Sequence, residues 1–117
     1  MKGDQLQWQP VCRLAELEIE RGAAALVHGQ AVALFRVDDS TVYALANHDP
    51  FDRHAMLAKG IVGVADTVPF VASPVHKHGF DLRTGQCLDD AHVSVASYEV
   101  RIVEGVVMVG QRKTAAA

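Results

Sequence analysis

Short apolar stretches separated by turn-forming residues run the length of the chain, and no stretch keeps a convincing helical period. Ala23 to His28 and Ala31 to Val37 are apolar runs joined by the pair Gly29-Gln30, which predicts a hairpin. Asp38-Asp39-Ser40 predicts a second turn, because Asp and Ser side chains bond nearby backbone, and Thr41 to Ala46 follows as a third strand. Ile61 to Val64 and Thr67 to Ala72 read as strands. Phe80-Asp81-Leu82 and Gln86-Cys87-Leu88 form a hairpin about Arg83-Thr84-Gly85, and Tyr98 to Val103 pairs with Val106 to Val109 about Glu104-Gly105. Upstream, Trp8 to Cys12 is a short extended segment that Pro10 marks as an edge. Ala15 to Glu20 alternates apolar with acidic, as a half-exposed strand or a loop with one wet face. Only Arg53 to Leu57 has room for a short helical turn. The pattern predicts an all-β sandwich or barrel of antiparallel hairpins, one domain over residues 1–117 with an ordered core of about 7–110 and a flexible tail at 111–117.

Residues 47–60 break this rhythm. They gather Asn, Asp, Pro, His and Gly into an irregular loop of about a dozen residues, a length that in a compact domain usually serves a function. Composition narrows what that function can be. The formal net charge is −3 and the Lys and Arg residues are scattered, so no basic stripe is available for nucleic acid. No apolar run approaches the length of a membrane span, and Met1 to Gln5 leads into no apolar signal core, so a soluble, cytoplasmic chain is expected. Cys12 and Cys87 form neither a CxxC pair nor a zinc-ligand spacing and read as free, partly buried thiols. Ser73 lacks the context of a nucleophile, and no glycine loop cradles a phosphate.

Four of the six histidines, His48, His54, His76 and His78, lie in or beside the 47–60 loop and the Ser73–Gly85 stretch. With Asp49 or Asp52 they make a mononuclear metal site one reading, and hydrogen-bonded or surface loop histidines the other; no pair has motif-grade ligand spacing.

The stretch itself runs Ser73-Pro74-Val75-His76-Lys77-His78-Gly79-Phe80-Asp81-Leu82-Arg83-Thr84-Gly85. Pro74, His76 and Phe80-Asp81-Leu82 with Thr84-Gly85 resemble the second cluster loop of Rieske-type [2Fe–2S] domains. Such domains hold one iron by two thiolates and the other by two imidazoles, from Cys-x-His on one loop and Cys-x-x-His on the other. Here Ser73 stands in place of the second-loop cysteine, and Asn47-His48-Asp49 stands where Cys-x-His belongs, so His76 alone remains of the four ligands. A serine hydroxyl is a neutral, hard oxygen at pH 7, whereas these clusters are bound by thiolates. The resemblance implies a Rieske-like β fold, and the substitutions imply no cluster, no other cofactor and no catalytic residue on this chain.

The departures form a pattern of their own. Asn47 with Asp49-Pro50-Phe51, then Gly60-Ile61-Val62-Gly63, Ser73-Pro74 with Lys77, and Thr84-Gly85-Gln86-Cys87-Leu88-Asp89-Asp90 together resemble the small-subunit family of cytosolic NAD(P)H-dependent nitrite reductases, over roughly residues 7–110. That resemblance implies a large-subunit partner carrying FAD, an iron–sulfur cluster and sirohaem, and a shared reaction, nitrite to ammonium in nitrate assimilation. Electron transfer then lies on the partner, and this chain acts by docking. Loops on a rigid β scaffold commonly carry recognition, which makes 47–57 and 73–80 the expected contact surface. Phe51 and Met56 are interface anchors or plugs closing the end of the barrel; Asp49, Asp52, Arg53 and Lys77 are a polar rim or ordinary solvated loop charge, and His78 is a further docking candidate. Two other expectations compete, a Rieske ferredoxin-like electron carrier and a mononuclear metal-binding protein.

Overall fold

A computed structural model describes residues 8–52, 54–75 and 77–113. Among them the strands are β1 (Gln9–Arg13), β2 (Gly22–Val27), β3 (Gln30–Arg36), β4 (Val42–Ala46), β5 (Ile61–Ala65), β6 (Val68–Ala72), β7 (Gly79–Asp81), β8 (Ser97–Val103) and β9 (Val106–Arg112). Six of them form one sheet in the order β1, β9, β8, β4, β3, β2, and β5, β6 and β7 form a second. Every strand pairing within the two sheets is antiparallel, as a chain built from hairpins requires. The six-stranded sheet curls toward closure. The amide of Gln9 spans the gap between its two edge strands: Nε2 donates to the Leu26 carbonyl at 3.1 Å, and Oε1 accepts the His28 N–H at 3.1 Å. Pro10 sits on the edge strand β1, beside a register shift, where a missing N–H breaks no ladder.

The core is double, and β3 divides it. Val32, Ala33, Leu34 and Phe35 are all buried, because the two faces of the strand meet different clusters. Ala33 and Phe35 join Leu45, Leu57, Val71 and Phe80 between the two sheets. Val32 and Leu34 face the barrel interior with Val27, Val42, Ala44, Val107 and Val109. A strand covered on both faces has no wet side to mark by alternation, which is why its sequence is a continuous apolar run.

Three hairpin turns have positive φ at both central residues, His28-Gly29, Asp66-Thr67 and Glu104-Gly105, the geometry that matches the twist of the flanking strands. The β2–β3 turn therefore lies one residue earlier than the expected Gly29-Gln30, with Gln30 already in β3. Asp66-Thr67 does the same work with no glycine, at φ values of 50° and 69°. Of the two expectations for Ala15 to Glu20 the loop is the one seen: a 3₁₀ turn, Leu14–Glu16, whose Glu16 side chain accepts the Arg13 N–H at 2.8 Å, runs into a loop with Leu17 buried and residues 18–20 exposed. The guanidinium of Arg36 fixes that turn by donating to the carbonyls of Leu14, Leu17, Asp38 and Asp39, so one planar fork ties two neighbouring turns together. The helical turn expected at Arg53 to Leu57 lies instead at Leu57–Lys59. At the C-terminus, β9 runs past residue 110 to Arg112 and the Lys113 N–H bonds Ser97 O at 2.8 Å, while the rest of the expected tail, 114–117, falls outside the described residues.

The Phe80 to Gly85 motif is fold chemistry. Phe80 is fully buried, and the Asp81 carbonyl accepts the N–H groups of Thr84 and Gly85. Gly85 turns at φ +83°, and a Cβ there would lie 2.0 Å from the Val95 carbonyl oxygen. The Asp81 carboxylate takes Arg83 in a fork, with Oδ1 to Nε at 3.0 Å and Oδ2 to Nη2 at 2.9 Å, and Oδ1 also accepts the Arg83 N–H at 2.8 Å. Burial pushes this carboxyl up. The Arg83 hydrogen bonds and the charges of Arg83 and Lys113 outweigh that and hold it below the usual carboxylate range.

Gly85→Ala is expected to cost roughly 3 kcal/mol or more, since strain and clash coincide. Gly29→Ala, also at positive φ but with open space around it, should cost about 1–2 kcal/mol; urea denaturation of both variants checks the ordering. Asp81 adds stability above its unfolded value near about pH 4 and loses it as pH falls through the lower folded value. Asp81→Asn should therefore flatten the acid limb of a stability-against-pH curve while leaving its shape near neutrality unchanged.

Candidate functional site

The 47–60 loop leaves the end of β4 and the 73–78 loop links β6 to β7, and the two meet through side chains. Ser73 donates its hydroxyl to Oδ2 of Asp49 across 24 positions of sequence, and each residue is only 1% exposed. Asp49 Oδ1 accepts the Phe51 N–H at 2.8 Å, and the Asp49 N–H reaches the Ala55 carbonyl at 3.2 Å, so the same residue folds its own loop. A hydrogen bond from a hydroxyl to a buried carboxylate is strong, and either partner left alone would carry a desolvation penalty.

Asn47 performs the parallel task at the loop's other end. It is buried, and its Oδ1 accepts the Ala58 N–H at 2.8 Å beside the Leu57–Lys59 turn, while its own N–H bonds Ala31 O. The second loop closes on itself: Ser73 N–H donates to His78 O at 2.9 Å, and Lys77 N–H to Ser73 O at 3.0 Å. Lys77 takes φ +60° to do so, a conformation uncommon for a side chain with a Cβ. Over this frame the ring of Phe51 stacks on His78, centroids 3.9 Å apart and planes 20° from parallel, and it also approaches Phe80 at 6.4 Å.

The residues expected at this end are thus divided. Phe51 and Met56 are exposed, as are His48 and Lys77, while Asp52 and His78 are half-buried. Asp52 Oδ1 accepts the His54 N–H at 2.9 Å. Asp49 leaves the expected polar rim, because its carboxylate points inward and is spent on Ser73 and Phe51. Arg53 and His76, also expected at the rim and among the residual ligands, lie outside the described residues. Among the described residues no three His, Cys, Asp or Glu side chains gather to hold a metal ion.

Oxygen atoms at the positions where a [2Fe–2S] cluster needs thiolates do not fit that group: Asn47 is committed to the Ala58 backbone, and Ser73 to Asp49. The cysteines are elsewhere. Cys87 is buried between the sheets, and Cys12 lies in β1, where burial and then the charge of Glu16 push its thiol up, away from the thiolate form.

Three residues at this end lay within the stretches read from the sequence without being singled out for a role there. Asp89 Oδ2 accepts the Gly79 N–H at 2.7 Å and braces the second loop from behind. Leu88 bonds Gly79 O through its backbone and is exposed, as is Val75 at the tip of the loop. The signal for Leu88 and Asp89 was the hairpin register. Counting back from Gly85 with Cys87 opposite Phe80 sets Leu88 opposite Gly79.

Ser73→Ala should cost roughly 1–3 kcal/mol, because it leaves a buried carboxylate short of a donor. Adding Asp49→Ala to it should cost less than the sum of the two single changes, since both remove the same bond; a double-mutant cycle by chemical denaturation measures the shortfall.

Residues 7–110 match the Rieske-like [2Fe-2S] domain family. The chain is similar to the Escherichia coli K12 nitrite reductase (NADH) small subunit, 37% identical over 102 residues that cover 86% of this chain and 94% of that one. It is similar to the solved nitrite reductase [NAD(P)H] small subunit of Erwinia carotovora, with a TM-score of 0.77 and 37% identity over 95% of this chain and 86% of that one. It is also similar to part of a Klebsiella oxytoca nitrite reductase [NAD(P)H] large subunit, 34% identical over 106 residues that are 91% of this chain and 11% of that one.

Proposed function

Since the chain belongs to the nitrite reductase small-subunit family and its Rieske-like [2Fe-2S] domain, we propose that it is the cofactor-free accessory subunit of an NAD(P)H-dependent nitrite reductase, seated on the large subunit. The observation that carries this reading is the Asp49–Ser73 hydrogen bond. It joins, atom to atom, two positions that the resemblance assigns to cluster ligands, so the end of the domain is closed by the chain's own side chains. Reduction of nitrite to ammonium needs redox groups that hold and pass electrons, and the oxygen donors here suit none of the iron–sulfur kind. FAD, the iron–sulfur cluster and sirohaem then belong to the large subunit.

The Klebsiella relative supports docking as the mode of action. There a stretch like this chain sits within a polypeptide named as the large subunit, so association in that case is covalent. A separate chain achieves the same neighbourhood by binding. Its contribution on this reading is to bind the large subunit, in an assimilatory, cytoplasmic setting.

Co-expression with the large subunit tests this. The two chains are expected to co-purify, the isolated small chain to show no absorption band in the visible after anaerobic treatment with iron and sulfide, and nitrite-dependent NAD(P)H oxidation to fall when it is omitted. A reconstituted visible band, or full turnover by a large subunit that never binds this chain, would overturn the proposal.

A further inference from the structure

Among the described residues nine large apolar side chains are left in water: Ile19, Leu26 and Val103 lie singly, on the loop after the Leu14–Glu16 turn, on β2 and on β8, and the other six lie in two places. Ile61 and Val64, at 66% and 64% exposure, lie on β5, the edge strand of the three-stranded sheet. Phe51, Met56, Val75 and Leu88, between 36% and 51% exposed, lie around the closed loop end. The members of the second group sit on segments tied to one another. Phe51 stacks on His78, whose chain neighbour Gly79 bonds Leu88; Val75 caps the turn that Ser73 anchors; Met56 follows Ala55, which bonds Asp49. An apolar ring on loops braced by a buried carboxylate and by Asp89 is preorganised, and preorganised apolar centres give the largest binding energies per residue.

Where β1 begins and β9 ends points to what covers this ring. β1 begins at Gln9 opposite Val109, and β9 ends at Arg112 opposite Tyr98. Lys113 bonds Ser97, and Ser97 pairs with Leu45, next to the point where β4 enters the 47–60 loop. Both ends of the described chain thus leave the six-stranded sheet at the end from which that loop springs. In the relative that carries this domain within its large subunit, the remainder of that subunit is joined at one or both of these ends. Whichever is used, it starts on the loop side of the domain and far from the turns at Asp38-Asp39 and Gly105.

We infer that the ring of Phe51, Met56, Val75 and Leu88 is the surface that seats on the nitrite reductase large subunit, with the domain docked end-on and the start of β1 and the end of β9 toward its partner. This rests on the accessory-subunit reading above and specifies it: the interface is the closed loop end, and the β5 edge is not part of it. His78, stacked under Phe51, fixes the ring's central side chain rather than meeting a metal.

The test is a binding titration of purified large subunit with the full-length chain and four variants. Leu88→Glu and Val75→Asp change exposed positions and should fold normally, as thermal melts would verify. Each should weaken binding by roughly 30-fold, the scale of an interface hot spot, while Ile61→Glu and Val64→Glu should change it by less than about threefold. The reverse ordering, with β5 variants weak and loop-end variants normal, would overturn the docking surface and leave the accessory role standing. Loss of binding by the wild-type chain itself would remove both.

Discussion

One buried hydrogen bond, from the hydroxyl of Ser73 to the carboxylate of Asp49, holds together the end of the domain on which every functional argument turns. A carboxylate taken out of water is costly unless it is met by donors, and here Ser73 and the Phe51 N–H supply them. The bond joins two loops that belong to different sheets' connections, so it does the work of a cross-link. Asp49 also accepts the Phe51 N–H, so the same carboxylate links the second loop to the residue stacked on His78, while Asn47 holds the other end of the 47–60 loop.

Much of the fold was legible because hairpins announce themselves. Glu104-Gly105 and the Arg83 to Gly85 turn fell where glycine had to supply positive φ, and Pro10 marked an edge strand. Three features were misread or left open for physical reasons. His28 tolerates the left-handed region, which shifted a turn by one residue. Asp66-Thr67 makes its turn with no glycine to announce it, and the acidic alternation at Ala15 to Glu20 reflected capping by Glu16 and an Arg36 fork rather than a strand. Distant partners take part in two of these, Gln9 at the His28 turn and Arg36 at the Leu14–Glu16 turn.

The site was legible in composition and not in direction. That Asn47, Asp49 and Ser73 replace ligands could be read from spacing against the family motif. That Asp49 and Ser73 point at each other, so that a residue expected at a polar rim is among the most buried in the chain, depends on two loops meeting across 24 positions and leaves no local trace. Leu88 and Asp89 were missed for a related reason. They follow the isolated bridge of Cys87 to Phe80, whose register is simple to count but whose importance comes only from facing Gly79.

The double burial of β3 has a consequence for how the domain moves. Phe35 seals the space between the two sheets while Leu34, its neighbour, seals the barrel, so the two cores share a wall one backbone thick. Loosening either core bares a face of that wall and weakens the other core with it. The loop end is rooted in β4, which pairs with β3 along its whole length, and so inherits this cooperativity. A change that opens either core is therefore felt at the strand from which the 47–60 loop departs.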